Sequence, residues 1–318
     1  MRSIDAEELR ATVSMREAVD AVREALRGHA AGEFEQPTRT ALADGGFLVM
    51  TARHRPSDTV MVKTLSLNPE REPVITGTVV WAESADPRNL VADAISVTTL
   101  RTGAIAGVAT DALAPRAADR LTLIGAGAQA ADQFRAVHAV RPLREFTVVA
   151  RDPARGEALL DRLGGELDGI TTEVRSDIED AIADTDIVCC STSAHTPLFR
   201  AEALPERVHV NAIGSYRPSM RELPTELLGG ARVVIDERAA VYEESGEILH
   251  ALETGTIRET DLTELGDLLG EDRPVPENGR TVFKSVGIAV QDWAIAKLLA
   301  AKFLAGQLPG RTGTSGQR

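Results

Sequence analysis

The sequence predicts an α/β protein in which a Rossmann-type, doubly wound parallel sheet is joined to a second, mixed α+β part. Three observations carry this. A β-rich run, LTLIG, breaks at Gly125 and Gly127 into a helix-forming segment, the strand–turn–helix pattern that receives a dinucleotide. From Arg120 onward strand-like and helix-like stretches alternate, which calls for parallel strands with crossover helices. Before Leu90, short apolar runs follow one another without helices between them, as antiparallel strands do.

In chain order, the opening helix is read from Ser14 as N-cap. Glu17, three residues on, completes a capping box, and Val19, Val22 and Leu26 follow at helical spacing. From Ala41, the runs GGFLVM, TVMVKTL and GTVVWAE form strands separated by Gly, Pro, Asn and Asp. A helix covers Leu100 to Leu113. Then come LTLIG, a helix over Ala128 to Val140, FTVVA, a helix over Pro153 to Leu163, and TTEV. Ser176 with Glu179 makes a second capping box before IVCCS, while VHVNAIG and ARVVID bring the parallel strands to about six. Past Asp236 the chain reads as acidic and helical. From Gly287 to Leu304 an amphipathic helix carries Ile288, Val290, Trp293, Ile295 and Leu298 at its apolar positions, and the tail GQLPGRTGTSGQR reads as disordered.

With 318 residues and 43% hydrophobic content the chain suits about two domains. Its 35 Lys and Arg against 48 Asp and Glu give a net charge of -13, and without a visible basic patch this argues against nucleic acid or an anionic membrane as partner. MRSIDAEELR has no apolar signal core, and no run approaches the roughly 18 apolar residues of a membrane span. The expected location is the cytoplasm. Cys189 and Cys190, the two cysteines, end the run IVCC and read as buried strand residues, so neither a disulfide framework nor a zinc cluster is available. His29, His54, His138, His195, His209 and His250 show no HExxH or HxxxH spacing, and no GxSxG elbow occurs. No metal is expected.

Without Cβ atoms at Gly125 and Gly127 the backbone can turn tightly and admit a pyrophosphate, whose charge meets the N–H groups and positive dipole end of the next helix. Ala126, Ala128 and Gln129 complete this GAGAQ turn, and Ala130 takes the place of a third glycine. About 20 residues beyond such a turn NAD enzymes carry an acid for the ribose 2′-hydroxyl. FTVVARDP puts Arg151 there, where a guanidinium pairs with a 2′-phosphate and favours NADPH over NADH. An inward Asp152 would weaken or reverse that preference. Thr192 is expected to pass the dinucleotide, Asn211 and Gly214 to approach the nicotinamide, and Lys284 and Ser285 to neighbour the ribose or nicotinamide. His195 in STSAHTP reads as an exposed loop histidine. Lys63 in VMVKTLSL projects to one strand face while Val62 and Thr64 face the other; it is either an edge-strand charge or a catalytic ammonium. Arg39 and Arg101 are either ion-paired arginines or a fork for a carboxylate.

RTGAIAGVATDALAP, LTLIGAGAQA and VNAIGSYRPSMREL stand in order with an early PTR, VMVKTLSLNP, the segment from Leu90 to Leu113 and a closing KSVGIAVQDWA. In these features the sequence resembles the ornithine cyclodeaminase and mu-crystallin family over nearly its whole length. The resemblance implies a homodimer, with residues 1–114 and 288–318 as the substrate-binding and dimerisation domain and 115–287 as the NAD(P)-binding Rossmann domain. It implies that Arg39 and Arg101 hold a substrate carboxylate and that Lys63 hydrogen-bonds it or supplies a proton near the substrate nitrogen. One position departs. The cyclodeaminase pattern has an aspartate two residues after the glycine of NAIGS, where this chain has Tyr216. With a pKa of about 10, tyrosine is a poor general base at neutral pH. That counts against cyclodeamination and amino-acid dehydrogenation and leaves the reductive branch, in which a nicotinamide hydride reaches a C=N carbon beside a carboxylate, as in pyrroline- or piperideine-2-carboxylate. Ser215 or Tyr216 then hydrogen-bonds the imine nitrogen or a protonating water, or both serve the loop. The alternatives are an ornithine cyclodeaminase-type lyase, an amino-acid dehydrogenase and an NADPH-binding protein without catalysis.

Overall fold

Alternating strand patterns and helical periodicities sort the chain into two sheets. The computed structural model describes residues 2–270 and 279–306; from residue 307 on, the tail read as disordered lies outside the described residues. The first sheet contains β1 (Arg2–Ile4), β2 (Phe34–Glu35), β3 (Thr40–Leu42), β4 (Phe47–His54), β5 (Thr59–Leu67), β6 (Ile75–Glu83) and β7 (Leu90–Asp93) in the order β1-β7-β6-β5-β4-β2, with β3 also on β4. Its hairpins are antiparallel, and only β1 joins β7 in parallel among the described strands. Register places Lys63 between Met50 and Val79, all three buried. The period of two thus turns Lys63 inward.

Helices α1 (Ala6–Thr12), α2 (Met15–Ala30) and α3 (Ala94–Leu113) accompany this sheet. Ser14 caps α2 with the reciprocal Glu17 bond expected from the capping box. The second sheet contains β8 (Arg120–Ile124), β9 (Glu145–Val149), β10 (Thr171–Arg175), β11 (Ile187–Cys190), β12 (Val208–Ala212), β13 (Ala231–Ile235), β14 (Leu262–Glu264) and β15 (Arg280–Lys284). Its order is β10-β9-β8-β11-β12-β15-β13-β14, with every pairing parallel. Around it lie α4 (Ala130–Val140), α5 (Pro153–Leu163), α6 (Ile178–Ile182), α7 (Thr225–Gly230), α8 (Arg238–Glu244), α9 (Gly246–Glu253) and α10 (Leu265–Gly270). The chain then returns as α11 (Ala289–Leu304) to pack on β4, β5, β6, α2 and α3.

Four details correct the sequence reading. RTVFK forms β15 between β12 and β13, so ARVVID is displaced outward and the parallel sheet has eight strands among the described residues. The cap of α6 is Asp177, whose carboxylate accepts from Asp180 N–H, rather than Ser176. Helix α3 begins six residues before Leu100, capped by Asp93. Finally, α11 is buried all round from Ala289 to Ala296, Gln291 and Asp292 included. A helix wrapped on every side has to satisfy its polar side chains internally.

Candidate active site

The turn after β8 is built for an anion. Gly125 has φ +105°, a conformation that favours glycine, and a Cβ there would lie 2.8 Å from Ser191 O. At Gly127 a Cβ would meet nothing within 4 Å, so this exposed flank of the turn is open. Helix α4 starts without a side-chain cap on Gln129; Ala130 N–H donates to Gly127 O at 3.2 Å, and the next N–H groups of the first turn are left to a ligand or water. Gln129 Oε1 is buried and has no partner in the described structure. Exposed Ala128 and half-buried Ala126 complete the turn. Beyond β9, the Asp152 carboxylate accepts from Ala154 N–H as the cap of α5, while Arg151 is exposed and makes no ion pair among the described residues. The acid is therefore engaged by a helix and the guanidinium is free. These features fit a dinucleotide with charge to spare at the 2′ position.

Loop 284–287 links the dinucleotide end to a second cluster. Buried Asp236 accepts from the Ser285 hydroxyl at 2.8 Å, Val286 N–H at 3.0 Å and Gly287 N–H at 2.8 Å. Burial pushes its carboxyl up, against those bonds. Gly287 has φ +87°, and a Cβ on it would sit 2.4 Å from Arg101 Nη1. Its bare backbone is the wall on which the guanidinium lies. Arg39 donates from Nη2 to the carbonyls of Val286 and Gly287, both at 2.8 Å, and pairs through Nε with Glu244 Oε1 at 2.6 Å. Thr38, Arg39, Met50, Glu244 and Gly287 line a narrow recess of about 10 Å³, room for a single water.

Lys63 Nζ donates to both Asp292 oxygens, at 2.7 and 2.8 Å, and approaches Thr98 Oγ1 at 3.4 Å. Arg101 Nη1 donates to Gln291 Oε1 at 2.8 Å, and its Nε lies 3.5 Å from Asp292 Oδ1 without making a hydrogen bond. Gln291 Nε2 is likewise buried without a partner. The first turn of α11 thus presents Asp292 to both cations and leaves two buried donors unfilled, as a site for an incoming anion would. Burial pulls the Lys63 ammonium down to about 8, with Asp292 opposing and the Arg101 and Arg39 charges assisting. Glu244 is pushed up to about 7 by burial, with Arg39 opposing. Gln133 Nε2 of α4 donates to Thr102 O at 3.1 Å, fixing α3, and with it Arg101, beside the dinucleotide turn.

Arg39, Lys63 and Arg101 come together as expected from the sequence; several other residues do not serve as read. The Asn211 amide lies in the core, donating to Thr110 Oγ1 and Cys189 Sγ and accepting from His209, so its side chain is closed to a nicotinamide. Ser215 is fully buried, its hydroxyl donating to Glu247 Oε1 at 2.6 Å beside Lys284 Nζ, so it is no substrate contact here. Lys284 is spent on Ser215 and Glu247, and the Ser285 hydroxyl on Asp236. Thr192 donates its hydroxyl to Glu222 Oε1 at 2.8 Å, and Gly214 donates its N–H to Glu222 Oε2. Tyr216, half-buried, lies under the Arg217 guanidinium at 5.5 Å and has no hydrogen bond to Arg39, Lys63 or Arg101. His195 is an exposed loop residue bonded to Ser219 O. Cys189 and Cys190 are buried strand residues, and burial pushes the Cys189 thiol up to about 12. Asp292, Gln291, Asp236, Glu244, Glu222 and Glu247 were not singled out from sequence. A carboxylate in a polar-looking helix turn signals solvent far more often than a buried counter-charge.

The family model described as the ornithine cyclodeaminase/mu-crystallin family matches residues 3–307. The chain belongs to that family. A Delta(1)-pyrroline-2-carboxylate reductase of Bacillus cereus is 33% identical over 316 residues, covering 95% of this chain and 96% of its own. Among solved structures, the Thermococcus litoralis Delta(1)-pyrroline-2-carboxylate reductase in complex with NADH and L-proline superposes with a TM-score of 0.90 at 26% identity, covering 98% of this chain and all of that one. An archaeal alanine dehydrogenase dimer with bound NAD follows at 0.88 and 27%, with 99% of both chains covered. No helix among the described residues is long and apolar enough to cross a membrane.

Proposed function

We propose that the protein is an NAD(P)H-dependent reductase of ketimines bearing an α-carboxylate, of the pyrroline- or piperideine-2-carboxylate type, and works in the cytoplasm. The observation that carries this is the cation cluster in which Arg39 and Arg101 meet at Gly287 and Lys63 shares Asp292 with Arg101, joined by loop 284–287 to the dinucleotide end of the parallel sheet. When bound, the reduced dinucleotide supplies the hydride that turns C=N into C–NH. The turn from Gly125 to Gln129 and the α4 N-terminus hold its pyrophosphate, and Arg151 its 2′-phosphate, which makes NADPH the preferred form.

Arg101 and Gln291 offer their unfilled donors to the substrate carboxylate, and Arg39 adds a second guanidinium once Glu244 yields. Asp292 keeps Lys63 and Arg101 fixed while the carboxylate is present or absent. Glu244, titrating near neutrality, and Lys63, near 8, are the groups able to hold a proton for the imine nitrogen at working pH. Tyr216 supplies no carboxylate where cyclodeaminases carry aspartate, and this favours reduction over deamination.

Residues 1–114 with those from 288 on form the substrate-binding part, and 115–287 the dinucleotide-binding part. The protein acts as a homodimer through the first sheet, where Leu42, Phe47 and Val80 are exposed on strands β3, β4 and β6. Sedimentation as a monomer at micromolar concentration would remove the dimer. For the reaction, the test is Arg101→Ala: turnover disappears while NADPH affinity stays at the wild-type value. Loss of both would mean that Arg101 serves folding and would remove the clamp.

A further inference from the structure

We propose that Glu222 is a positioning residue for the nicotinamide half of the dinucleotide, fastening the loops after β11 and β12 into one surface. The inference rests on the reductase reading above. Glu222 Oε1 accepts from Thr192 N–H at 2.6 Å and from its hydroxyl at 2.8 Å, and Oε2 accepts from Gly214 N–H at 2.8 Å and Ser215 N–H at 3.2 Å. Four donors from two loops therefore converge on one fully buried carboxylate. The loops can close on each other because Gly214 lacks a Cβ, which would stand 2.3 Å from both Thr192 N and Thr192 O.

A second buried acid holds the first. Glu247 Oε1 accepts from Glu222 N–H at 2.7 Å and from the Ser215 hydroxyl at 2.6 Å, and Lys284 Nζ lies 3.4 Å from Glu247 Oε2 and 2.6 Å from Ser215 O. Both loops leave the carboxyl ends of central parallel strands, where a doubly wound sheet takes its ligand. With the hydroxyls of Thr192 and Ser215 spent on the acids, the loops meet the ligand with backbone whose position Glu222 sets. A carboxamide cannot substitute, because its single oxygen leaves one loop's donors facing an NH₂ group.

The test is calorimetric titration of the full-length wild type, Glu222→Gln and Thr192→Val with NADPH and with 2′,5′-ADP, which has the adenosine half but no nicotinamide. Glu222→Gln is expected to bind NADPH about tenfold or more weakly, as for a lost charge-assisted bond, and 2′,5′-ADP within about twofold of wild type. Thr192→Val, which keeps the N–H bond, shifts NADPH the same way by about threefold, and it decides alone if Glu222→Gln does not fold. Unchanged NADPH affinity, or parallel losses for both ligands, overturns the proposal. A wild type that binds both ligands but reduces no imine would end the reductase reading and leave the comparison of Kd values standing.

Discussion

Replacing Asp292 by asparagine removes the charge that serves Lys63 and Arg101 together, and the cost should depend on pH. Lys63 is 1% exposed with both Asp292 oxygens on its ammonium, and burial already pulls it down to about 8. At about pH 6 the variant must either keep a buried ammonium without its counter-charge or shed a proton roughly two units below its pKa, which costs about 3 kcal/mol at about 1.4 kcal/mol per unit. Arg101 cannot shed its proton and loses an anion 3.5 Å away. The total belongs in the range of about 3–5 kcal/mol that follows removal of one partner from a buried pair. At about pH 9.5 Lys63 is mostly neutral in the wild type too, so its share fades and the loss shrinks by up to about 3 kcal/mol. Urea unfolding of both proteins at both pH values measures this, and titrating groups common to the two cancel in the difference. The same loss at both pH values, or a loss below about 1 kcal/mol at the lower one, would refute the assignment of Asp292 as their shared counter-ion.

Three further outcomes follow from the same geometry. Gly287→Ala places a Cβ against the Arg101 guanidinium in a left-handed conformation; a stability loss of about 1–3 kcal/mol and a raised KM for imine with unchanged NADPH affinity are expected, whereas wild-type kinetics would free Arg101 from that wall. Arg151→Ala should lower kcat/KM with NADPH by about tenfold or more, the worth of a charge-assisted phosphate contact, and leave NADH alone; equal losses with both would deny the 2′-phosphate contact. For Glu244, pushed up to about 7, the folded state holds a proton that the unfolded chain has released between about pH 4.5 and 7, so its stabilising share is present at low pH and lost as pH rises through that window. In Glu244→Gln that fall should be absent from unfolding curves, and a slope equal to wild type would contradict the burial of the carboxyl.

Features that depend on local chain chemistry were legible from the residues alone. The Ser14–Glu17 box, the glycine turn after β8 and the placing of Lys63 on the strand face opposite Val62 and Thr64 follow from capping, φ freedom and a period of two. What escaped depends on partners far away in sequence. RTVFK is a short run with charged ends, and only insertion between β12 and β13 makes it a central strand. Asp292 and Gln291 look like a solvent face until α11 is surrounded by α2, α3 and the first sheet. Ser215, Asn211 and Lys284 lie where motif spacing puts them in the chain, yet buried Glu247 takes up Ser215 and Lys284, and the core residues Thr110, Cys189 and His209 take up Asn211. Spacing locates a loop; it does not say which way its hydroxyls turn.

Reduction and deamination are separated by following NADPH absorbance as purified protein meets pyrroline-2-carboxylate or piperideine-2-carboxylate, with L-ornithine and catalytic NAD⁺ in parallel. Stoichiometric NADPH oxidation with a cyclic imine, and no ammonia from ornithine, is the predicted result. Ammonia released from ornithine, with no oxidation across the imines, would contradict it and return the chain to the cyclodeaminase branch.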